Sequence, residues 1–476
     1  MNAANPTLWR RLFRPAAFSA AMLTGCATTT IDRTLDEVQA FTRERAGVAP
    51  VFARTEAQRN AMAAEVDRLL EKPLAADDAV KIALTASPGF QALMFDNASA
   101  MAAAIQSGRL VNPVFTFERL RRGDDIDIGR LLSFQIVDLL TWPLRTQMAD
   151  LRLEQDKLKA MGDAVEAAAD ARKAWVGAVA AQQALAYHRD VLTAAEAAAE
   201  LARRMAGVGN FSRLQRAREQ AFYADAVTQL ARAQHGAVAA RERLVRALGL
   251  SGAQAARLAL PERLPDLPQA PRTEREIASA AFEQRLDVLG ARRALEHTAK
   301  LGGLTVTRSA LARVELGIAR NSETGQAVQR GYEIEIPLPV FDPGDALRAE
   351  MRSSYLAALY RTQAVIVDAQ SQLRESYHAY RSAYDIARHY REEIVPLRAS
   401  IAEENLLRYN GMLIGVFELL ADAREQVASV IAAIDALREF WIADALLANT
   451  LIGRPEAAPR MFEPAPRAAG GGGSPH

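Results

Sequence analysis

Tyr332-Glu333-Ile334-Glu335-Ile336-Pro337-Leu338 alternates apolar and acidic residues up to its proline, and a helical pattern starts a few residues later at Asp345. Period two with one apolar side marks a strand whose sheet is wet on one face. The helix that follows is unusually long. Apolar residues recur at Leu347, Met351, Tyr355, Ala358, Val365, Ala369, Leu373, Tyr380, Tyr384, Ala387, Ile394, Leu397 and Ile401, and Pro396 is the sole proline before Tyr409. Steps of three, four and seven draw one apolar stripe along a helix. At 1.5 Å per residue it would run ~100 Å. A short one-sided strand feeding such a helix decides the fold class: mainly α, with a small β part.

Outward from this stretch the pattern repeats. Val314, Leu316 and Ile318 alternate with Arg313 and Glu315, and the polar run Asn321 to Arg330 leads back to Tyr332. In the first half, Val114 to Leu120 and Leu132 to Leu139 flank Arg121-Arg122-Gly123-Asp124-Asp125, and an Ala-rich helical run follows from Leu144 to Met205. The expected strands are 113–120, 131–139, 312–320 and 331–339, with long helices over 143–206 and 344–409. Ala79-Val80 and Ala83-Leu84 have counterparts in Ile277-Ala278 and Ala281-Phe282, so the chain reads as a duplicated module, 74–250 and 273–453. The segment 251–272, with Pro261, Pro265, Pro268 and Pro271, is a linker expected to be extended. Residues 26–73 form a lead-in with helical patterns over Ile31 to Ala46 and Thr55 to Leu70. The tail 454–476, with Gly470 to Gly473, is low in complexity.

The start of the chain is built for export. Trp9, Arg10, Arg11 and Arg14 precede an apolar run from Pro15 to Leu23 that is too short to span a bilayer, so 1–25 reads as a signal segment. Cys26 is the single cysteine in 476 residues, which excludes an intramolecular disulfide. The 58 basic and 57 acidic residues nearly cancel, which gives no case for nucleic acid. Nothing after Cys26 has the apolar length of a transmembrane helix, so membrane attachment would come from lipid or strands. Four strands cannot close a barrel, since the smallest outer-membrane barrels have about eight, and open edges do not survive in hydrocarbon. Strands that span must therefore be pooled between copies of the chain.

Catalysis finds no support. His378 and His389 lie ~16 Å apart by helical rise, too far to share a metal. Gly207-Val208-Gly209 lacks the third glycine and the strand of a phosphate loop. The pattern points to no cofactor and to no enzyme.

Leu23-Thr24-Gly25-Cys26 resembles the bacterial lipobox, which implies acylation of Cys26, and Ala27 after it favours the outer membrane in that pattern. The whole layout over 74–453 resembles the TolC-like outer-membrane efflux factors, particularly their lipoprotein branch. Leu338-Pro339-Val340-Phe341-Asp342-Pro343-Gly344 looks like that family's strand-to-helix junction. Gly209-Asn210-Phe211-Ser212-Arg213-Leu214-Gln215 and Arg408 to Leu420 look like its two helical-hairpin tips. The resemblance implies a homotrimer with four strands per subunit in a shared twelve-stranded barrel, and a hollow α-barrel in the periplasm. It also implies tips that dock a periplasmic adaptor (membrane fusion) protein joined to an inner-membrane pump. The chain would then be a passive exit duct resting in outer-membrane lipid. Gly209, Asn210, Phe211, Ser212, Gly411, Met412, Leu413, Ile414, Gly415 and Val416 are the expected docking residues, and Arg408, Glu418, Asp422 and Arg424 the candidate aperture gate. Gly209 and Gly411 are expected to reverse the chain at positive φ. Trp142 and Tyr332 are candidate belt aromatics, with Pro143 in the first turn of the long helix.

Three departures from the family pattern stand out. Gly415 replaces the usual Ser, Glu418 lies one residue farther from Gly411 than the family's acid, and Leu286-Asp287 stands for Pro-Asp. The other reading left open is a lipid-anchored periplasmic coiled-coil spacer without a pore. The transported substrate is not legible.

Overall fold

The computed structural model describes residues 25–273, 285–311, 314–336 and 344–453, without the side chains of 25–29, 305–311 and 417. The signal segment, the glycine-rich tail, the Ile277–Phe282 repeat start, the strand ends at 312–313 and 337–339, and all of Leu338–Gly344 except Gly344 lie outside these residues. The elements in order are α1 (Gly25–Ala46), α2 (Glu56–Leu69), α3 (Ala76–Ala86), α4 (Pro88–Ser107), β1 (Val114–Arg122), β2 (Asp125–Gln135), α5 (Ile136–Gly207), α6 (Arg213–Leu248) and α7 (Gly252–Arg257). They continue with α8 (Leu286–Leu311), β3 (Glu315–Glu323), β4 (Gln329–Glu335), α9 (Asp345–His389), a π turn (Tyr390–Ile394), α10 (Val395–Asn410) and α11 (Val416–Ile452). The fold is mainly helical with one small sheet, as the opening stretch requires.

Local chemistry sets several helix starts. Thr55 before α2, Ser212 before α6 and Ser251 before α7 each accept the N–H three residues on. In return Gln58, Gln215 and Gln254 accept the cap's own N–H, forming reciprocal capping boxes.

The expected strand 131–139 is displaced. β2 ends at Gln135 and α5 takes over at Ile136, so Leu139, the expected end of the strand, is an exposed helix residue, as is Leu140. Buried Val137 and Thr141 fall one helical turn apart, and the Thr141 hydroxyl donates to the Val137 carbonyl at 2.7 Å. Helical period thus wins over period two from that point. Pro143 accordingly lies inside α5 rather than in its first turn. It withholds an N–H from the helix ladder. Neighbouring side chains serve the end of α4 instead: Trp142 Nε1 donates to the Gly108 carbonyl at 3.1 Å, and Arg145 to those of Ser107 and Arg109, both at 3.1 Å.

The second long helix runs as α9, the π turn and α10. Pro396 lies in the first turn of α10 and has no N–H to give, and the wider turn precedes it, with Val395 N–H reaching back to the Tyr390 carbonyl.

β1 to β4 form one antiparallel sheet in the order β1-β2-β3-β4, leaving β1 and β4 as edges. Both hairpins reach farther toward their turns than the sequence pattern indicates.

The chain divides into two compact units that cut across the sequence duplication. One holds the described residues up to Ser99 together with Ala160–Arg285 and Ile366–Gly453; the other holds Ala100–Lys159 and Leu286–Val365. In the first unit the core joins Leu74, Ile82 and Leu84 with Ala164, Ala168, Ala171, Trp175 and Val179 of α5 and Leu244 and Leu248 of α6. Small alanines let helices approach closely, and packing rather than propensity holds helices of this length.

The linker is bound along its length. Its first turn is α7, and Leu258, Leu260, Leu264 and Leu267 are buried. Proline-interrupted backbone cannot satisfy itself, and helix side chains do so instead. Trp441 Nε1 donates to Pro265 O at 3.0 Å, Arg391 to Leu267 O at 3.2 Å, and the Tyr384 hydroxyl to Pro268 and Gln269 O at 3.1 Å.

Arg285, 1% exposed, donates to the Thr450 carbonyl at 2.7 Å and to Gln372 Oε1 at 3.3 Å, tying α8's entrance to α9 and α11. Arg285→Met is expected to cost about 3 kcal/mol, because it leaves buried acceptors unpaired. The exposed Arg293→Met should stay within about 0.5 kcal/mol. Thermal unfolding of the two variants side by side reads the difference.

Candidate functional site

Register assigns the sheet two unlike faces. Phe115, Leu132, Ile318 and Tyr332 stand opposite one another across the four strands, and Phe134, Leu316 and Ile334 form the next row. Paired residues share a face, so this side is apolar, and Phe115, Phe134, Ile318, Tyr332 and Ile334 are all exposed. The other face carries Glu118, Gly129, Asn321 and Gln329 in one row, with Ser133, Gly317 and Glu333 in another. Carboxylates and small residues dominate it. A Cβ on Gly317 would lie 2.7 Å from Leu131 Cδ1, so glycine there relieves crowding on this face. Small residues on one face let a sheet curve toward it.

Of the two belt candidates, Tyr332 lies in the exposed apolar row, whereas Trp142 is tethered by its indole to Gly108.

The two tips share one backbone design. At the first, Asn210 N–H bonds the Met205 carbonyl at 2.9 Å and Gly209 N–H the Ala206 carbonyl at 3.2 Å, with Gly209 at φ +80°. At the second, Leu413 N–H bonds the Arg408 carbonyl at 2.8 Å and Met412 N–H the Tyr409 carbonyl at 2.9 Å. Both are Schellman closures, with the left-handed residue just past the helix cap. At the second tip that residue is Met412, at φ +60°, and not Gly411, whose φ is −78°. This corrects the expectation for Gly411. It also explains the extra residue before Glu418. Aligned on Met412 with Gly209, Glu418 falls third inside α11 as Gln215 falls third inside α6, and Gly415 takes the cap position of Ser212 without its side-chain bond.

Exposure sorts the docking residues. Met412 is 93% exposed and Leu413 77%, and Gly209, Asn210, Ser212, Gly411 and Gly415 are also exposed. Phe211 and Ile414 are half-buried, and Val416 is buried.

The four gate residues do not form one cluster. Arg408 pairs along its own helix with Glu404 at 3.4 Å, and Glu418 is exposed. Asp422 accepts a short hydrogen bond from Asn405, closing α10 on α11. Arg424 reaches from α11 to α6, where its guanidinium meets Glu219 Oε2 at 2.6 Å and lies 4.4 Å from the centre of the Phe222 ring. Glu219 is 1% exposed, and its other carboxylate oxygen and Arg424 Nε have no hydrogen-bond partner among the described residues. Sequence reasoning missed Glu219, because its partner lies in the other half of the chain. Before the first tip, hydrogen bonds from Arg203 and Arg204 hold the Glu200 carboxyl below the ordinary carboxylate range.

Among the described residues no helix is long and apolar enough to cross a membrane, which says nothing about strands.

No protein-family profile matches the chain, and no curated protein does. Solved structures do. The outer membrane protein VceC of Vibrio cholerae superimposes with a TM-score of 0.65 at 15% identity, over 82% of this chain and 96% of that one. A membrane protein of Pseudomonas aeruginosa gives 0.63 at 18%, over 85% and 97%. The open state of the MtrE outer membrane channel of Neisseria gonorrhoeae gives 0.60 at 15%, over 84% and 91%. At these identities the likeness is one of fold. The fold is that of TolC-like outer-membrane factors, the class to which the sequence pattern pointed.

Met412→Gly separates the backbone role of the second tip from a side-chain role. Relief of a left-handed methionine should stabilise the fold by about 1 kcal/mol. Thermal melting against wild type reads it: a higher midpoint shows that the methionine side chain is not retained for stability, and an unchanged or lower one contradicts the strain.

Proposed function

We propose that this protein is the outer-membrane channel subunit of a tripartite export system and acts as a passive exit duct. One observation carries the reading: a four-stranded sheet with two free edges whose apolar face is exposed. Lipid covers such a face, and pairing of β4 with β1 of a neighbouring copy removes each edge. Three copies make a twelve-stranded barrel, within the range known for outer-membrane proteins. The acidic, glycine-containing face then lines the lumen.

Met412 and Leu413 at the second tip, with the polar residues of the first, meet a periplasmic adaptor joined to an inner-membrane pump, which supplies the energy. An exposed apolar pair at a helix reversal supports this assignment. Asp422, Arg424, Glu219 and Asn405 brace the tip end of the duct, and Arg424 is the gate residue that links the two hairpins. Acylation of Cys26 anchors the first residues of the mature chain; the cysteine falls in the first turn of α1. The pore-free spacer has no use for a two-faced sheet.

Planar-bilayer recording of protein extracted from membranes tests the channel directly. Stepwise conductance is expected, and its absence from lipidated, oligomeric protein overturns the reading. Leu413→Asp should abolish export in cells while leaving the oligomer and its conductance intact; unchanged resistance removes the docking assignment. Cys26→Ala should weaken membrane retention of the newly made chain yet leave oligomers, because the barrel is itself an anchor. Gel mobility of unheated membrane extracts reads this outcome, and complete loss of oligomer contradicts it.

A further inference from the structure

Toward the hairpin turns the apolar face of the sheet gives way to arginine. Phe117 of β1, Arg130 of β2, Arg320 of β3 and Arg330 of β4 form a single cross-strand row, each opposite the next. It follows directly on the apolar row Phe115, Leu132, Ile318 and Tyr332, on the side toward the hairpin turns. The Arg130 guanidinium lies 6.0 Å from the centre of the Phe117 ring, which places both on this face. Arg119 and Arg121, farther toward the turn on β1, add two more cations to the same face, the second of them 3.9 Å from Asp124.

Three guanidinium groups on adjacent strands start only ~5 Å apart. Like charges directly opposite one another destabilise a sheet. Among the described residues none of Arg119, Arg130, Arg320 and Arg330 has a carboxylate partner. The carboxylates of the sheet, among them Glu118, Asp127, Glu323 and Glu333, stand on the opposite face. The repulsion therefore has no counterweight within the sheet.

We propose that the row Arg130, Arg320 and Arg330 binds the phosphate groups of outer-leaflet lipid headgroups, while the apolar rows below it meet the acyl chains. This rests on the outer-membrane channel reading. Charge and shape both select the occupant. From Ile336 to Arg330 the apolar side of β4 spans ~20 Å along the strand, after which hydrocarbon must give way to charge. Guanidinium matches phosphate with paired hydrogen bonds and carries a weaker hydration shell than ammonium. The same row recurs once per subunit, so the assembled barrel wears an arginine belt at one level. Bound headgroup phosphates turn three mutually repelling groups into a fixed boundary that sets how deep the barrel rests.

The test uses full-length, detergent-extracted protein and native mass spectrometry with three added probes: a diphosphorylated glycolipid, the same glycolipid without its phosphates, and inorganic phosphate. Wild type should retain the phosphorylated lipid at least tenfold more strongly than the dephosphorylated one. The combined variant Arg130→Gln, Arg320→Gln, Arg330→Gln should bind both alike, and the corresponding triple lysine variant, which keeps the charge, should retain a preference. Equal retention of the two lipids by wild type, or a preference that survives in the glutamine variant, overturns the proposal. So does displacement of the lipid by inorganic phosphate at equal concentration, which would assign the row to free anions. Conductance recorded on the same preparations keeps the two readings apart: a lipid preference without conductance in wild type supports the arginine row and counts against the channel alone.

Discussion

A strand edge presents backbone N–H and C=O groups that hydrocarbon cannot satisfy, and this sheet has two such edges, β1 and β4. It also turns exposed phenylalanine, isoleucine and tyrosine side chains to one side. Either feature alone has soluble solutions. Together they are the observations on which the proposed ring of sheets with lipid outside rests. Each hairpin is entered and left by helices. Alanine-lined contacts in α5 hold those helices close over a length that no compact enzyme core needs.

One chain carries two hairpins and two tips, and the tips differ. The first tip uses Gly209 and a full capping box at Ser212; the second uses Met412 at the same left-handed position and no side-chain cap at Gly415. A tip that keeps a strained, exposed methionine where glycine would fit is less stable than it has the means to be. The Arg424–Glu219 pair joins the unlike hairpins near this end, with Glu219 buried and the pair incompletely satisfied, so that removing Arg424 alone would strand a buried carboxylate.

Much of this was legible in the sequence, for identifiable reasons. Period two in Tyr332 to Ile336 and the long stripe from Leu347 to Ile401 are strong local signals, and both elements are present. Local signals failed where two patterns overlapped. Leu132, Phe134 and Ile136 alternate as a strand does, and the burial of Val137 and Thr141 one helical turn apart settles the boundary. At the second tip, Gly411 drew the left-handed conformation to itself by residue type, whereas the hydrogen bonds place it at Met412. The arginine row was invisible for a different reason. Arg130 and Arg330 lay outside the expected strands, and opposite neighbours are a property of register, which no single segment encodes.

Subunit number in the membrane-extracted particle tests the central claim most directly. Mass measurement of the full-length protein in native nanodiscs should give three copies around one continuous barrel. A monodisperse, water-soluble single chain with its apolar sheet face packed under its own helices would contradict the account.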